Sequence, residues 1–231
     1  MIELIYSPKW FYGHDIIIDI ISILVLFLIA YFSIQYYRIN KKKKNYFCLA
    51  ISFFLIGLSF LFKILTNFTI YYRIVETKQI GFVTLTYHTI RSTDTLFFFG
   101  FLLYRILTLV GLYLLYCIYQ KQSKSIMFVI FYFILVLTYF SQSAYYIFHL
   151  TSFIFLVLIT HHYVTNSMKT KHYTAKLLAL SFGIITGSQL IFVFVRINPL
   201  LYVIAESIQL IGYITLLITF IMVLRYGKKK K

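Results

Sequence analysis

The chain has 231 residues, of which 61% are hydrophobic and 21% aromatic, and only 12% are charged. Soluble domains carry about 25% charged residues, so this chain cannot cover its surface in water and belongs in a bilayer. A net charge of +16 would point to a nucleic-acid partner in a soluble protein, but the placement of the charges excludes that class.

Seven apolar segments follow one another, each near the roughly 20 residues a spanning helix needs. Trp10, Phe11 and Tyr12 precede them as interfacial anchors. The amino terminus has Glu3, lacks a basic leader and begins its apolar run only after Asp15, which is not the pattern of a cleavable signal peptide. The first span covers about 15–37 and carries Asp15, Asp19 and Ser22 at i, i+4, i+7. The second, about 46–71, sets Ser52, Ser59, Lys63 and Thr66 on one helical face. An outer loop, 72–94, follows, in which VTLTYHTI alternates with the period of a strand, an interfacial helix fitting almost as well. The third span, about 95–119, holds Arg105 and Thr108.

The fourth span, about 125–140, is the shortest, and Ser141-Gln142-Ser143 after it reads as a turn or as a polar break in a longer pair. The fifth, about 144–163, shares a stripe of Gln142, Tyr145, His149 and Ser152. The sixth, about 175–195, contains Gln189 and the GIITG pattern of Gly183 and Gly187, a spacing that permits close helix packing. The seventh, about 199–225, lines up Tyr202, Glu206, Gln209 and Tyr213. The expected fold is all-α: one polytopic domain of seven transmembrane helices.

Orientation follows from Lys and Arg in the connections. Arg38, Lys41–Lys44, Lys121, Lys124, Lys169, Lys171, Lys176, Arg225 and Lys228–Lys231, fifteen in all, fall on one side. Lys9, Arg73, Lys78, Arg91 and Arg196, five in all, fall on the other. The positive-inside rule puts the rich side in the cytoplasm, hence the amino terminus outside and the carboxyl terminus inside a cell membrane. The basic runs then meet anionic inner-leaflet headgroups rather than nucleic acid. Cys48 and Cys117 fall near cytoplasmic helix ends, where thiols stay reduced, and read as small packing residues.

A cationic side chain in hydrocarbon costs about 3 kcal/mol or more, so such groups turn inward toward partners or water. With this orientation Asp19, Lys63, His149, Gln189 and Glu206 fall in the outer half and Arg105 near mid-depth, while the inner half holds almost no ionisable group. The expected pairs are Lys63 with Asp15 or Asp19, and Arg105 with Glu206. Two readings stay open. The pairs pin helices together, or Lys63 simply snorkels outward along its stem. Alternatively Asp19, Lys63, Arg105, His149, Gln189, Glu206 and Gln209 line an outward-facing cavity for a small ligand, since intramembrane ionisable residues mark functional sites.

Known membrane chemistries find little support. A retinal protein needs a Schiff-base lysine in its last helix, which here has none before Lys228. The six histidines form no His-x-x-x-His pair, two cannot be set opposite each other for haem, and no nucleophile elbow or HExxH occurs. Only Pro8 and Pro199 are available to break helices, against the discontinuous spans of transporters. No metal, cofactor or catalytic residue is therefore expected.

FLIGLSFLFKILTNFTIYYR, Phe54–Arg73, together with the Lys-rich first inner connection, resembles uncharacterised seven-span proteins of small-genome archaea. In outline the chain is also similar to the seven-helix sensory modules that precede prokaryotic histidine kinases. The second resemblance implies sensing of a ligand or of the membrane state, and a signal passed to a separate partner, because the chain ends at RYGKKKK. The reading is a non-enzymatic, receptor-like or sensory bundle that reports to a cytoplasmic or membrane partner. The alternatives are a small-molecule transporter or a structural, accessory subunit.

Overall fold

Long runs of Leu, Ile, Phe and Tyr without interior proline let each apolar segment propagate as one helix, which satisfies every interior backbone group locally. A computed structural model describes residues 7–39, 44–75, 90–120, 122–141, 144–170 and 172–229. After a short 3-10 turn at Lys9–Phe11 come α1 (His14–Ile39), α2 (Lys44–Val75), α3 (Ile90–Cys117), α4 (Lys124–Phe140), α5 (Tyr145–Thr170), α6 (Tyr173–Val193) and α7 (Leu200–Lys229). No strand occurs among the described residues. Among the described residues all the helices but α4, six in number, are long and apolar enough to cross a membrane. The chain thus has the multi-pass helical character of a membrane-embedded protein. α4 has 17 residues, about 25 Å at 1.5 Å per residue, and is the short member that its sequence foreshadowed.

Two boundaries differ from expectation. α2 continues to Val75 and α3 begins at Ile90, so helix replaces both ends of the loop expected over 72–94. The remainder of that loop, including all of VTLTYHTI except Ile90, lies outside the described residues. At the start of α7, Asn198 Oδ1 accepts from Leu200 N at 2.9 Å and Pro199 sits where a missing N–H costs nothing.

Around the bundle the neighbours run α1, α2, α3, α5, α6, α7 and back to α1, a closed ring of six. α4 lies outside it, against α3 and α5. Directions alternate from one helix to the next. Asp15 meets Asn67 and Tyr36 meets Tyr46 across α1 and α2. Across α3 and α4, Arg105 meets Ser141 while Tyr113 meets Phe131, and His149 meets Gln189 while Tyr163 meets Phe182 across α5 and α6. α3 and α5, two places apart in the chain, run parallel, Tyr104 against Phe148 and Tyr113 against Phe155. Two of the three expected interfacial aromatics do not behave alike: Trp10 is exposed, while Phe11 is buried against Tyr202.

The close packing that GIITG permits does not occur there. A Cβ on Gly187 would meet nothing within 4 Å, and one on Gly183 only Thr160 Cγ2 at 4.0 Å. The tight approaches lie at glycines without that spacing. A Cβ on Gly212 would sit 2.5 Å from Ile185 Cγ1 and 3.2 Å from its backbone nitrogen, and one on Gly111 2.6 Å from Ile56 Cγ1 and 3.0 Å from the Ser52 carbonyl. α6–α7 and α2–α3 are therefore drawn together at Gly212 and Gly111.

Candidate functional site: a charged layer at one end of the bundle

Asp19 stands one turn into α1, Glu206 two turns into α7, and Lys63 three turns before the end of α2. Because α2 runs against the other two, all three arrive at one level. Lys63 Nζ donates to Asp19 Oδ1 at 2.8 Å and to Glu206 Oε1 at 2.5 Å. Both acids are fully buried and Lys63 is 9% exposed, with its ammonium 5.3 Å from the centre of the Phe60 ring. Lys63 does not snorkel. Two carboxylates share one ammonium, and the second Asp19 oxygen, Oδ2, has no hydrogen-bond partner among the described residues.

Of the two acids offered to Lys63 by the sequence, Asp15 is engaged elsewhere. Its Oδ1 accepts from Gly13 N at 3.0 Å and Ile16 N at 2.9 Å, and its Oδ2 from Asn67 Nδ2 at 3.2 Å. An acid there complements the unsatisfied N–H groups at the start of α1. Just outside the helix, burial and then the Asp15 carboxylate raise the pKa of the Tyr12 phenol.

Arg105 does not meet Glu206. α3 and α7 are not neighbours in the ring, and Glu206 is held by Lys63. Arg105 Nη1 instead donates to the Ser141 carbonyl at 2.5 Å and to the Ser141 hydroxyl, at the end of α4. Its guanidinium lies 3.6 Å from the centre of the Phe101 ring, with Phe148 at 5.2 Å and Tyr145 at 5.6 Å. A weakly hydrated planar cation suits such an aromatic cage. Arg105 is thus level with the α4–α5 turn.

A second polar chain crosses α5, α6 and α7. His149 Nδ1 and Gln189 Oε1 are 2.9 Å apart, Gln189 Nε2 donates to Gln209 Oε1 at 3.1 Å, and Gln209 Nε2 donates to the Tyr213 hydroxyl at 3.3 Å. The ring of His149 stacks on Phe192, centres 4.6 Å apart, and its Nε2 is buried without a partner among the described residues. α7 joins the two halves of the layer, with Glu206 in the charged cluster and Gln209 one turn on in the amide chain.

The layer lies toward one end of the bundle. Gln189 is one turn from the end of α6 and His149 one turn from the start of α5. Only α2 and α3 continue far beyond it, twelve residues past Lys63 and fifteen before Arg105, about 18 and 22 Å respectively at helical rise. Below the layer, on the ring axis, is a cavity of about 30 Å³. Tyr104, Thr108, Ser152, Gln189, Gln209 and Tyr213 contribute to its wall near the layer, and Phe53, Leu115, Leu156 and Leu216 to its floor. Among the deeper buried hydroxyls, Ser33 donates to Ile29, Ser181 to Leu177 and Thr219 to Thr215, while Tyr163 pairs with the Tyr119 hydroxyl just past the end of α3.

The seven residues read from the sequence as a ligand set therefore form three groups: Lys63 with Asp19 and Glu206; His149 with Gln189 and Gln209; and Arg105 with Ser141. The sequence reading missed Ser141 as a partner, the Phe101 cage, Asn67 and the cavity position of Tyr104. Ser141 had a signal, a polar break after an apolar run, but one of the two acceptors it offers is a carbonyl that no side-chain pattern reveals. Among the described residues no three His, Cys, Asp or Glu side chains gather as a metal site. Comparison with family models, curated proteins and solved structures finds no match to the chain.

Proposed function

We propose that this protein is a non-enzymatic, receptor-like sensory bundle, with its amino terminus outside the cell membrane, its basic ends in the cytoplasm and the charged layer opening outward. The observation that carries the reading is the Lys63–Asp19–Glu206 cluster. Buried ion pairs are poor stabilisers, and apolar residues of similar volume do as well or better; in a bilayer the cost argues for use. The cluster fastens α1, α2 and α7 at one point, so a ligand that competes for its carboxylates changes how those helices are held. With two acids against one base, the fitting ligand class is a small cation or zwitterion. A partner in the cytoplasm or membrane would read the change through the helix ends.

The apolar floor speaks against the transporter alternative, because a permeation path needs polar or small residues on both sides of the site. The structural-subunit alternative draws on a different fact, that Lys63 already engages both acids. Melting of the protein in vesicles, with small protonated amines, their neutral isosteres and carboxylates added outside, separates the three. The sensory reading expects cation-selective stabilisation without flux. Flux would favour transport, and no selective shift would favour a structural role.

A further inference from the structure

We propose that the cavity beneath the charged layer is a water-binding site, whose water closes the amide chain back onto α5. The volume is about 30 Å³, and one water needs roughly 10–15 Å³ on this measure, with two to four polar partners. Size therefore admits one or two waters and little else.

Hydrogen-bond accounting supplies the partners. His149, Gln189 and Gln209 pass donors in one direction, ending on the Tyr213 hydroxyl oxygen. A phenol carries one donor besides its acceptor capacity, so the Tyr213 proton is left over at the end of the chain. Ser152, 1% exposed and one turn below His149 on α5, has a hydroxyl with no partner among the described residues. Nearly every other buried serine of these helices donates to a carbonyl three or four residues back, as Ser22, Ser59 and Ser188 do. Ser152 departs from that pattern and borders the cavity, as does Tyr213. A water between them accepts from Tyr213 and serves Ser152, and a buried polar group left unpaired costs more than an ordered water does. The circuit then runs α5 to α6 to α7 and back to α5. This inference does not depend on the sensory reading.

Two measurements on the full chain in bilayers test it. Magnetisation transfer from water to the Ser152 and Tyr213 side chains should be seen by solid-state NMR, and its absence overturns the proposal. Ser152→Ala, which should fold because it removes a single atom, should lower the melting temperature by about 2–4 °C, the shift that one lost hydrogen bond gives a chain of this size. A dry cavity predicts the reverse, since the substitution would then delete an unsatisfied hydroxyl. A rise in melting temperature also overturns the proposal, even if transfer to Tyr213 is present.

Discussion

Glu206 receives a hydrogen bond from Lys63, 143 residues earlier in the chain, at 2.5 Å. This contact joins α7 to α2 across the ring, and Asp19 on α1 shares the same ammonium. The three helices are tied by a charge that none of them could carry alone in hydrocarbon.

Removing the shared cation should therefore be the worst single change in the layer. Lys63→Met strands two buried carboxylates, and breaking a buried pair costs about 3–5 kcal/mol. Glu206→Gln leaves Lys63 paired with Asp19 and should cost less. Unfolding in detergent, with both variants beside wild type, checks the order. Equal losses would mean that Glu206 carries the whole interaction.

Arg105 and Glu206 should behave as separate residues. A double-mutant cycle between Lys63 and Glu206 should give a coupling of at least about 1 kcal/mol, while one between Arg105 and Glu206 should stay below about 0.5 kcal/mol, the limit for sites without a shared partner. Arg105→Lys should nevertheless destabilise by about 1–2 kcal/mol, since a point charge replaces neither the stacking on Phe101 nor the forked donor at Ser141.

The glycines give an independent check on helix packing. Gly212→Ala forces a methyl against Ile185 and should cost about 1–3 kcal/mol. Gly187→Ala enters open space and should gain about 0.5–1 kcal/mol from helix propensity. The reverse order would place the α6 contact on the GIITG face after all.

These comparisons mark what the sequence could convey. The helices and the inward turn of Asp19, Lys63, Glu206, His149, Gln189 and Gln209 were legible, because apolar run length and a 3.6-residue stripe are local properties. Pairing was only half legible. The stripes offered Lys63 the acids Asp15 and Asp19 and gave Glu206 to Arg105, but choosing partners needs the order of helices around the ring, which depends on packing between segments far apart in sequence. The same ring order separates α3 from α7 and so removed the expected Arg105–Glu206 pair. Gly183 and Gly187 show the complementary failure: small residues permit a close approach without causing one.

Topology is open to a direct check. Reporters before Met1 and after Lys231 should lie on opposite faces, outside and cytoplasmic respectively. Both ends on one face would contradict the alternating helix directions, since α3 and α5 run parallel and α4 carries the chain back between them.

The central claim is that the Lys63–Asp19–Glu206 cluster is kept for function rather than for holding the fold. The most direct measurement replaces all three at once, Lys63→Met with Asp19→Leu and Glu206→Leu, and follows both melting temperature and the ability to replace the wild-type protein in its own cells. The account predicts a variant as stable as wild type, or more so, that fails to replace it. A variant equally stable and fully able to replace the wild type would contradict the claim and leave the cluster as a structural clasp.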